Sequence, residues 1–510
     1  SKNVSSNDDA QGSSTFENII QIPRDFYITD FKDYNNKFFN VDNYFTPYAA
    51  NPYFSLYENG NNLNSDRFFG NIEFGYKLSS VFDVKLRAGG DFTNARLKQY
   101  QAVEAPANGS WRGPNPTNFE GASYTAKVGS VTERSDYTGE INTDLFLNYN
   151  KKITSDFDLS GFVGFNFNQR SGRSQVSGIT GLTIPGYYDL SNSANNPTTN
   201  SATSKRRLFG LFGQVNLGYK DFLFLSLNAR NDWSSTLPID ANTFFYPGAN
   251  LSFVLSKLAD MSALKIDYLK LRAAYGRTGN DAPLYSLYST LVSGNVGLGF
   301  GNIVFPINGV PAFELGNQIG NNKLKPEITT ETEFGLEAKL FDSRFGVDLT
   351  YYNKISDGQI LGIQIAPSTG YTTQIANFGK VRNRGIELAL NIVPVRSKNF
   401  NWNINYTYTR NRNTVITMPG GLDKIDFTSY FDVKMVVRQG QPIGIIEAPT
   451  VEKTEDGRFI TENGFFKTTA GDFAQGNVNR DFIMGLNNTF EYKGWRLGFT
   501  LDYRKGGSLV

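Results

Sequence analysis

Residues 332–354 read TEFGLEAKLFDSRFGVDLTYYNK. Apolar and polar residues alternate strictly on both sides of Phe341-Asp342-Ser343, so each flanking stretch has one apolar and one polar face. The short connection predicts an antiparallel hairpin. Each strand would be about ten residues long, which is the length that a tilted strand needs to cross a bilayer.

Similar pairs of alternating stretches recur along the chain and predict about fourteen strands in seven hairpins. Their apolar faces carry essentially no charge at the central positions, and aromatic residues gather near both strand ends, as two interfacial girdles would require. The pattern therefore predicts an all-β fold, a transmembrane antiparallel β-barrel. The hairpins cover residues 72–88, 141–167, 209–229, 245–277, 332–354, 386–408 and 484–503.

The connections between the predicted strands alternate in length. Those within hairpins are short, which is typical of periplasmic turns, and those between hairpins are long, which is typical of extracellular loops. Residues 1–65 are predicted to be an irregular segment of the barrel domain, and residues 66–510 its strands and loops. The long loops are expected at 93–136, 169–206, 231–245, 278–330, 357–382 and 413–480.

The composition excludes several classes of protein and site. The chain of 510 residues has 42 Phe and 27 Tyr, yet its mean hydropathy is −0.36, which suits a barrel whose every second strand residue faces water. It has no Cys and no His, which removes disulfides, thiolate nucleophiles and the commonest general base. A net charge of +2 gives no reason to expect nucleic acid as a partner.

Several short motifs then resemble one family, the SusC/RagA-type TonB-dependent outer-membrane transporters. The resemblance keeps the family's order and covers about residues 50–507. Each motif is weak alone, and the series is strong. The motifs are RNDWSS at 230–235, FYP at 245–247, LKLRAAYGRTGN at 269–280, LKPE at 324–327, EFGLE at 333–337, NRGIEL at 383–388, GQPIG at 440–444 and NNTFEYKG at 487–494.

The resemblance implies a barrel of about 22 strands with a plug, of which this chain would supply an internal portion. The plug, the TonB-contacting segment and the first and last strands are then expected outside this sequence. It also implies active import of large nutrients, glycans or oligopeptides, in the bacterial outer membrane. The expected partners are TonB, outer-membrane lipid and a SusD-like surface lipoprotein that covers the barrel, with loops 278–330 and 413–480 as its contacts.

Three alternatives stay open at this point. The chain could belong to a TonB-dependent receptor for siderophores or cobalamin, to a passive porin, or to an outer-membrane scaffold that transports nothing. The acidic residues Glu333, Glu337, Asp348 and Glu387 could perform acid–base chemistry, but a water-facing barrel wall explains them better, because every strand has the same pattern.

No catalytic residue, metal site or cofactor is predicted. The Gly-rich run 294–301 lacks a following Lys-Ser/Thr, and the acidic residues around Asp456 and Asp472 lack the spacing of a calcium loop. Aromatic residues in the long loops are candidates for stacking on a sugar or a peptide, although such residues also pack loops together. The candidate substrate-binding residues are Trp111, Tyr187, Tyr188, Tyr285, Tyr288, Phe300 and Tyr371.

Overall fold

The computed structural model describes residues 15–35, 44, 51–104, 127–298, 301–305, 307, 309–418, 422, 424–430 and 432–508. Helices are few and short: α1 (Thr15–Ile20), α2 (Pro52–Glu58), α3 (Leu255–Leu258) and 3₁₀ turns at Ile28–Phe31, Ile239–Ala241, Ser262–Leu264 and Pro367–Thr369. Across the described residues, no helix has the length and apolar character needed to span a membrane.

Strands dominate the chain. The long strands are β1 (Gly60–Lys77), β2 (Phe82–Glu104), β3 (Lys127–Lys152), β4 (Phe157–Thr180), β5 (Thr198–Tyr219), β6 (Leu223–Ser234), β7 (Thr243–Val254), β8 (Ile266–Asn280), β14 (Glu327–Leu340), β15 (Phe345–Gln364), β16 (Thr373–Arg396), β17 (Phe400–Thr417), β24 (Arg480–Tyr492) and β25 (Trp495–Gly506). The shorter strands are β9 (Leu291–Ser293), β10 (Asn295–Leu298), β11 (Gly301–Val304), β12 (Phe313–Leu315), β13 (Gln318–Ile319), β18 (Lys424–Tyr430), β19 (Val433–Arg438), β20 (Ile445–Val451), β21 (Thr461–Glu462), β22 (Phe465–Phe466) and β23 (Thr468–Asn477).

The long strands form one sheet in the order β1-β2-β3-β4-β5-β6-β7-β8-β14-β15-β16-β17-β24-β25. With β13, which pairs in parallel with β16, the sheet has 15 strands. From β5 to β25, each neighbouring pair is antiparallel. The predicted succession of antiparallel hairpins is therefore confirmed.

The hairpin at 332–354 shows how the chain turns between two strands and which side chains share a face of the sheet. Phe341, Asp342 and Ser343 all have positive φ (57°, 55° and 57°) and turn the chain within the predicted connection. Leu336 lies opposite Leu349, and Glu337 lies opposite Asp348. Directly opposed residues point to the same side of a sheet, so the predicted separation into an apolar and a polar face is confirmed.

The loops predicted at 93–136, 169–206 and 357–382 are largely wrong, because the strands continue far beyond the apolar stretch. β2 runs to Glu104, β4 runs to Thr180, and only residues 365–372 separate β15 from β16. The extensions of β2 and β4 are mostly polar, and apolar residues in those of β15 and β16, such as Ile360 and Phe378, are buried in local clusters. Hydrophobic alternation therefore does not mark these extensions, although the strands still pair across the sheet.

Within residues 1–65, the structure contains α1, α2 and the first residues of β1. The assignment of that segment to an irregular part of the barrel domain stays a prediction. The 278–330 connection contains the small pairs β9–β12 and β10–β11. The 413–480 connection is not a simple loop, because β18, β19, β20 and β23 form a separate four-stranded sheet within it. We call this the outer sheet.

The apolar face of the long sheet is exposed, which is the reverse of a water-soluble fold. Phe334, at the centre of β14, is 61% exposed, and Leu349, in the alternating part of β15, is 40% exposed. Exposed apolar area of this extent marks a surface that another apolar phase covers. The exposure agrees with the prediction that this face contacts lipid.

The chain divides into two compact units, each with its own buried clusters. Unit 1 comprises residues 1–72, 88–142 and 168–206, and unit 2 comprises residues 73–87, 143–167 and 207–510. In unit 1, Val131, Ile179 and Leu182 form one cluster and Phe31 packs on Tyr44 in another. In unit 2, Leu237, Phe244 and Leu324 form one cluster, and Phe378, Val415 and Val437 form another.

Candidate functional site

The polar face of β8, β14 and β15 carries a network of paired charges. Lys270 Nζ lies 2.9 Å from Glu337 Oε2, and Arg272 Nη2 lies 2.7 Å from Asp348 Oδ1. All four side chains are partly exposed, so water reaches the network. The carboxylates that the sequence singled out at 337 and 348 are thus engaged by cations, as expected for a water-facing wall.

Arg272 reaches Asp348 by crossing a glycine. Arg272 is on β8 and Asp348 is on β15, with Gly335 of β14 between them. A Cβ at Gly335 would lie 2.2 Å from Arg272 Nε, a distance that no side chain tolerates. Glycine at this position therefore gives the guanidinium a path to the second strand along the sheet.

The same arrangement occurs twice more. Arg230 on β6 crosses Gly210 of β5, and its Nη2 donates to Asn166 Oδ1 on β4 at 3.2 Å. Tyr352 on β15 crosses Gly385 of β16, and its hydroxyl donates to Asn411 Oδ1 on β17 at 3.1 Å. We call these three contacts the glycine crossings.

An aromatic cluster lies on the polar face further along the sheet. Phe146, Phe162 and Phe212 meet edge to face, with ring centroids 5.6–5.9 Å apart. The Arg87 guanidinium lies 5.5 Å from the Phe146 ring, and the Arg230 guanidinium lies 5.1 Å from the Phe212 ring. Rings flanked by guanidinium groups form a surface on which a flat apolar or aromatic group can stack.

A polar pocket of about 500 Å³ lies in unit 1, among β1 to β4 and Leu190. Its walls carry Arg96, Lys98, Glu133 and Arg134 beside amide and hydroxyl side chains. Lys98 pairs with Glu133 at 3.0 Å, and Arg134 pairs with Asp136 at 2.7 Å. Amides, hydroxyls and guanidinium groups in one concavity can bind sugar hydroxyls or peptide carboxylates.

Two predicted aromatic residues lie near this pocket. Tyr188 stacks on Tyr100 with ring centroids 4.0 Å apart, and its hydroxyl donates to the Glu58 carbonyl at 3.2 Å. Burial raises the pKa of the Tyr188 hydroxyl, which is consistent with a packing role. Tyr187, in contrast, is exposed. These two adjacent tyrosines therefore illustrate the two roles of loop aromatic residues, which are packing within the protein and exposure to a ligand.

Three other predicted residues lie in unit 2. Tyr285 and Tyr288 are exposed residues of the 281–326 connection, and Tyr371 is half-buried between β15 and β16. The two segments meet, because Thr372 N donates to the Asn317 carbonyl at 2.9 Å. A shared substrate role for these residues stays a proposal. Trp111 and Phe300 lie outside the described residues.

Neither the phenylalanine cluster nor the pocket was predicted from the sequence, and Arg230 and Arg272 appeared there only within family motifs. The phenylalanines sit at polar-face positions, where an alternating pattern leads one to expect hydrophilic side chains. Glycine inside a strand is the signal that could have located the crossings, since strand glycines often mark a close approach. Among the described residues, no group of acidic side chains is arranged to hold a metal ion.

Comparison with known proteins places these features in a family. Residues 9–430, most of the chain, match the family described as TonB dependent receptor-like, beta-barrel. The chain belongs to this family. Family membership places it in the bacterial outer membrane and accounts for an apolar sheet face that lies open to the surroundings.

Two relatives in this TonB-dependent receptor family are TonB-dependent receptor P26 of Formosa agariphila and TonB-dependent receptor SusC of Bacteroides thetaiotaomicron. The first is 26% identical over 492 residues, covering 90% of this chain and 47% of the relative. The second is 23% identical over 484 residues, covering 88% and 44%. This chain thus spans about half the length of the curated relatives it matches.

Among solved structures, a chain of the RagAB peptide transporter has the same fold, with a TM-score of 0.72 at 17% identity. The similarity covers 90% of this chain and 49% of that one. The expected resemblance to SusC/RagA-type proteins is therefore confirmed at the level of family and fold.

Proposed function

We propose that this chain is the barrel portion of a TonB-dependent importer of large nutrients, glycans or oligopeptides. The observation that carries the proposal is the two-faced sheet, with an exposed apolar side and a polar side of water-accessible paired charges, in a chain of this receptor family. In a barrel of this kind, the polar side lines the interior. A structural neighbour, the RagAB peptide transporter, supports oligopeptides as a substrate class, and the relative SusC supports the SusC/RagA-type resemblance that implies glycans.

The absence of cysteine permits a direct test of the path, since any introduced thiol is the only one in this chain. Ala389 lies on the polar face opposite Asp348, and the adjacent Leu390 lies on the apolar face opposite Val347. In the complete protein, Ala389→Cys should react with a bulky water-soluble maleimide, and the modified protein should lose uptake of a labelled oligosaccharide or oligopeptide.

Leu390→Cys is the matched control, one residue away on the same strand. It should resist the maleimide and retain uptake. Equal labelling of the two cysteines would contradict the assignment of faces. Unchanged uptake after complete labelling of Ala389→Cys would contradict the proposal that this face lines the transport path.

We further propose that a SusD-like surface lipoprotein contacts the connection that contains the outer sheet. β21 and β22 form a small hairpin whose turn, Asn463-Gly464, has positive φ at both residues (54° and 82°). The hairpin presents Phe465 and Phe466, which are 78% and 60% exposed. Exposed aromatic residues on a rigid turn are typical anchors of a protein interface.

Substitution of both phenylalanines tests this contact. Phe465→Ser with Phe466→Ser should release the lipoprotein when the intact transporter is purified in mild detergent. The matched variant Asn463→Ser in the same turn should retain it. Undiminished co-purification with the double variant would exclude this hairpin as the contact.

Dependence of uptake on TonB is a separate proposal. Uptake measured in a strain that lacks TonB tests it directly.

A further inference from the structure

A group of arginines continues the apolar face beyond its aromatic residues. Arg277, Thr330, Ile355 and Arg382 are directly opposed in one row across β8, β14, β15 and β16. The next row toward the short turns contains Tyr275, Thr332, Asn353 and Arg384, and the row after that contains Phe334, Tyr351, Ile386 and Arg410. We call Arg277, Arg382, Arg384 and Arg410 the arginine strip.

Acidic residues of the same strands lie on the opposite side of the sheet. Glu331 and Glu333 alternate with Thr330 and Thr332, and Glu387 follows Ile386. The polar face at this level carries both signs, with Lys354 directly opposite Glu331, whereas the arginine strip consists of cations alone.

The strip is not neutralised by neighbouring carboxylates. Within the described residues, none of its four arginines forms an ion pair, whereas the adjacent Arg412 pairs with Asp481 at 3.1 Å. The Nε atoms of Arg277 and Arg382 are buried and lack a hydrogen-bond partner in the described part of the chain. Arg384 and Arg410 are exposed, so their guanidinium groups are open to an acceptor from another molecule.

The position of the strip along the strands identifies that molecule. Arg410 lies about ten residues after Phe400, the first residue of β17, and about ten tilted residues cross the apolar layer of a membrane. The strip thus lies one membrane thickness from the short turns, next to Tyr275 and Tyr351, which are exposed and lie at the level where interfacial aromatic residues are found. Headgroups of the outer leaflet occupy this level.

We propose that the arginine strip binds the phosphate groups of an anionic glycolipid in the outer leaflet. The planar guanidinium group donates two parallel hydrogen bonds to a phosphate, and the apolar residues below the strip would contact the acyl chains. Four arginines within three adjacent rows suit a headgroup with more than one phosphate. The bound lipid would supply acceptors for the exposed guanidinium groups of Arg384 and Arg410.

Native mass spectrometry of the complete protein in detergent tests the proposal, with phosphorylated lipid A and the same lipid after enzymatic removal of its phosphates as probes. The phosphorylated lipid should bind and its dephosphorylated form should not. Arg384→Gln with Arg410→Gln should weaken binding by about thirtyfold, from about fivefold per arginine at a membrane surface.

Lys339→Gln with Lys354→Gln removes the same charge from the polar face and should leave lipid binding unchanged. Heat-modifiable migration in gels verifies that each variant is folded, and the single variant Arg410→Gln, with an expected fivefold loss, replaces the double variant if that fails to fold. Equal binding of the dephosphorylated lipid, equal losses in both double variants, or competition by inorganic phosphate at the lipid's own concentration would overturn the proposal.

Discussion

Two antiparallel sheets in unit 2 differ in which side chains they expose and which they bury. The strands β14 to β17 of the long sheet leave Phe334 and Leu349 exposed and keep Glu337 and Asp348 together on the other face. The outer sheet buries Val436 and Val437 in the usual manner. It also buries Glu447, which is 4% exposed and accepts hydrogen bonds from Arg438 at 2.8 and 3.1 Å.

The difference shows that the solvent around each sheet decides where charge is tolerated. In the long sheet, lipid permits apolar exposure and excludes charge from the membrane-spanning part of one face. In the outer sheet, water surrounds the strands, so a charge can be buried only where a partner compensates it. Both sheets pair antiparallel, so substitutions with opposite expected effects can distinguish them by their surroundings.

The largest effect is expected for Leu349→Arg on the apolar face of β15. A cation there should cost about 2–4 kcal/mol if the site lies near the membrane midplane. Ala389→Arg, on the polar face opposite Asp348, is the matched control and should be tolerated. Folding into lipid vesicles, followed by heat-modifiable migration and urea titration, measures both. Equal assembly of the two variants would refute lipid exposure of Leu349.

The next largest effect is expected in the outer sheet, for Glu447→Ala. This change leaves Arg438 and Lys424 without their shared carboxylate and should destabilise the outer sheet by about 2 kcal/mol, since both cations remain partly exposed. Proteolysis within residues 418–479 should accelerate, while the long sheet remains intact. The exposed Glu455→Ala is the control. Protease resistance equal to that of the parent protein would show that the buried carboxylate contributes little.

Acid should loosen the outer sheet before the long sheet. Hydrogen bonds from Arg438 hold the pKa of Glu447 below its usual range, and a hydrogen bond from Lys434 lowers the pKa of Asp472 in the same sheet. Groups with depressed pKa stabilise the fold above their unfolded pKa, about 4 for carboxyls, and this stabilisation disappears as pH falls through the lowered values. Hydrogen exchange of 424–477 should therefore accelerate below about pH 4, and Glu447→Gln should flatten that dependence.

The smallest effect is expected for Gly335→Ala on the polar face of the long sheet. The added methyl would displace Arg272 from its path to Asp348, and a partly exposed ion pair contributes up to about 1 kcal/mol. Gly276→Ala on β8 is the control, because no atom lies within 4 Å of the added Cβ. Urea titration in lipid vesicles measures both. A loss in Gly276→Ala as large as that in Gly335→Ala would attribute the effect to glycine flexibility alone.

Alternation made the long sheet predictable from the sequence. A strict two-residue period fixed the hairpin at 332–354, its turn at 341–343 and the face of each residue, because a shift by one would expose Glu337 and Asp348 to lipid. The same signal failed in β2, β4 and β16 beyond the membrane. There no exposed apolar face continues the two-residue period, and apolar residues such as Phe378 are buried by neighbouring segments, so alternation does not distinguish a strand from a loop.

The candidate site was less predictable than the fold. Each glycine crossing needs a long side chain on one side of the glycine strand and its acceptor on the other side. The residue spacing around Gly210, Gly335 or Gly385 does not reveal which residues the neighbouring strands place there. The pocket beside Leu190 combines residues from four strands and a loop. Its charges look like ordinary surface residues in the linear sequence, and only the pairing of distant strands brings them together.

The glycine crossings also have a mechanical consequence. In an ordinary sheet each strand is held only by its two neighbours, so a pulling force on one strand is resisted by two rows of hydrogen bonds. Arg272, Arg230 and Tyr352 each attach a strand to its next-nearest neighbour. A load applied to β8 is thereby shared with β15 as well as β14, so tearing the wall at that seam requires breaking side-chain and backbone bonds together.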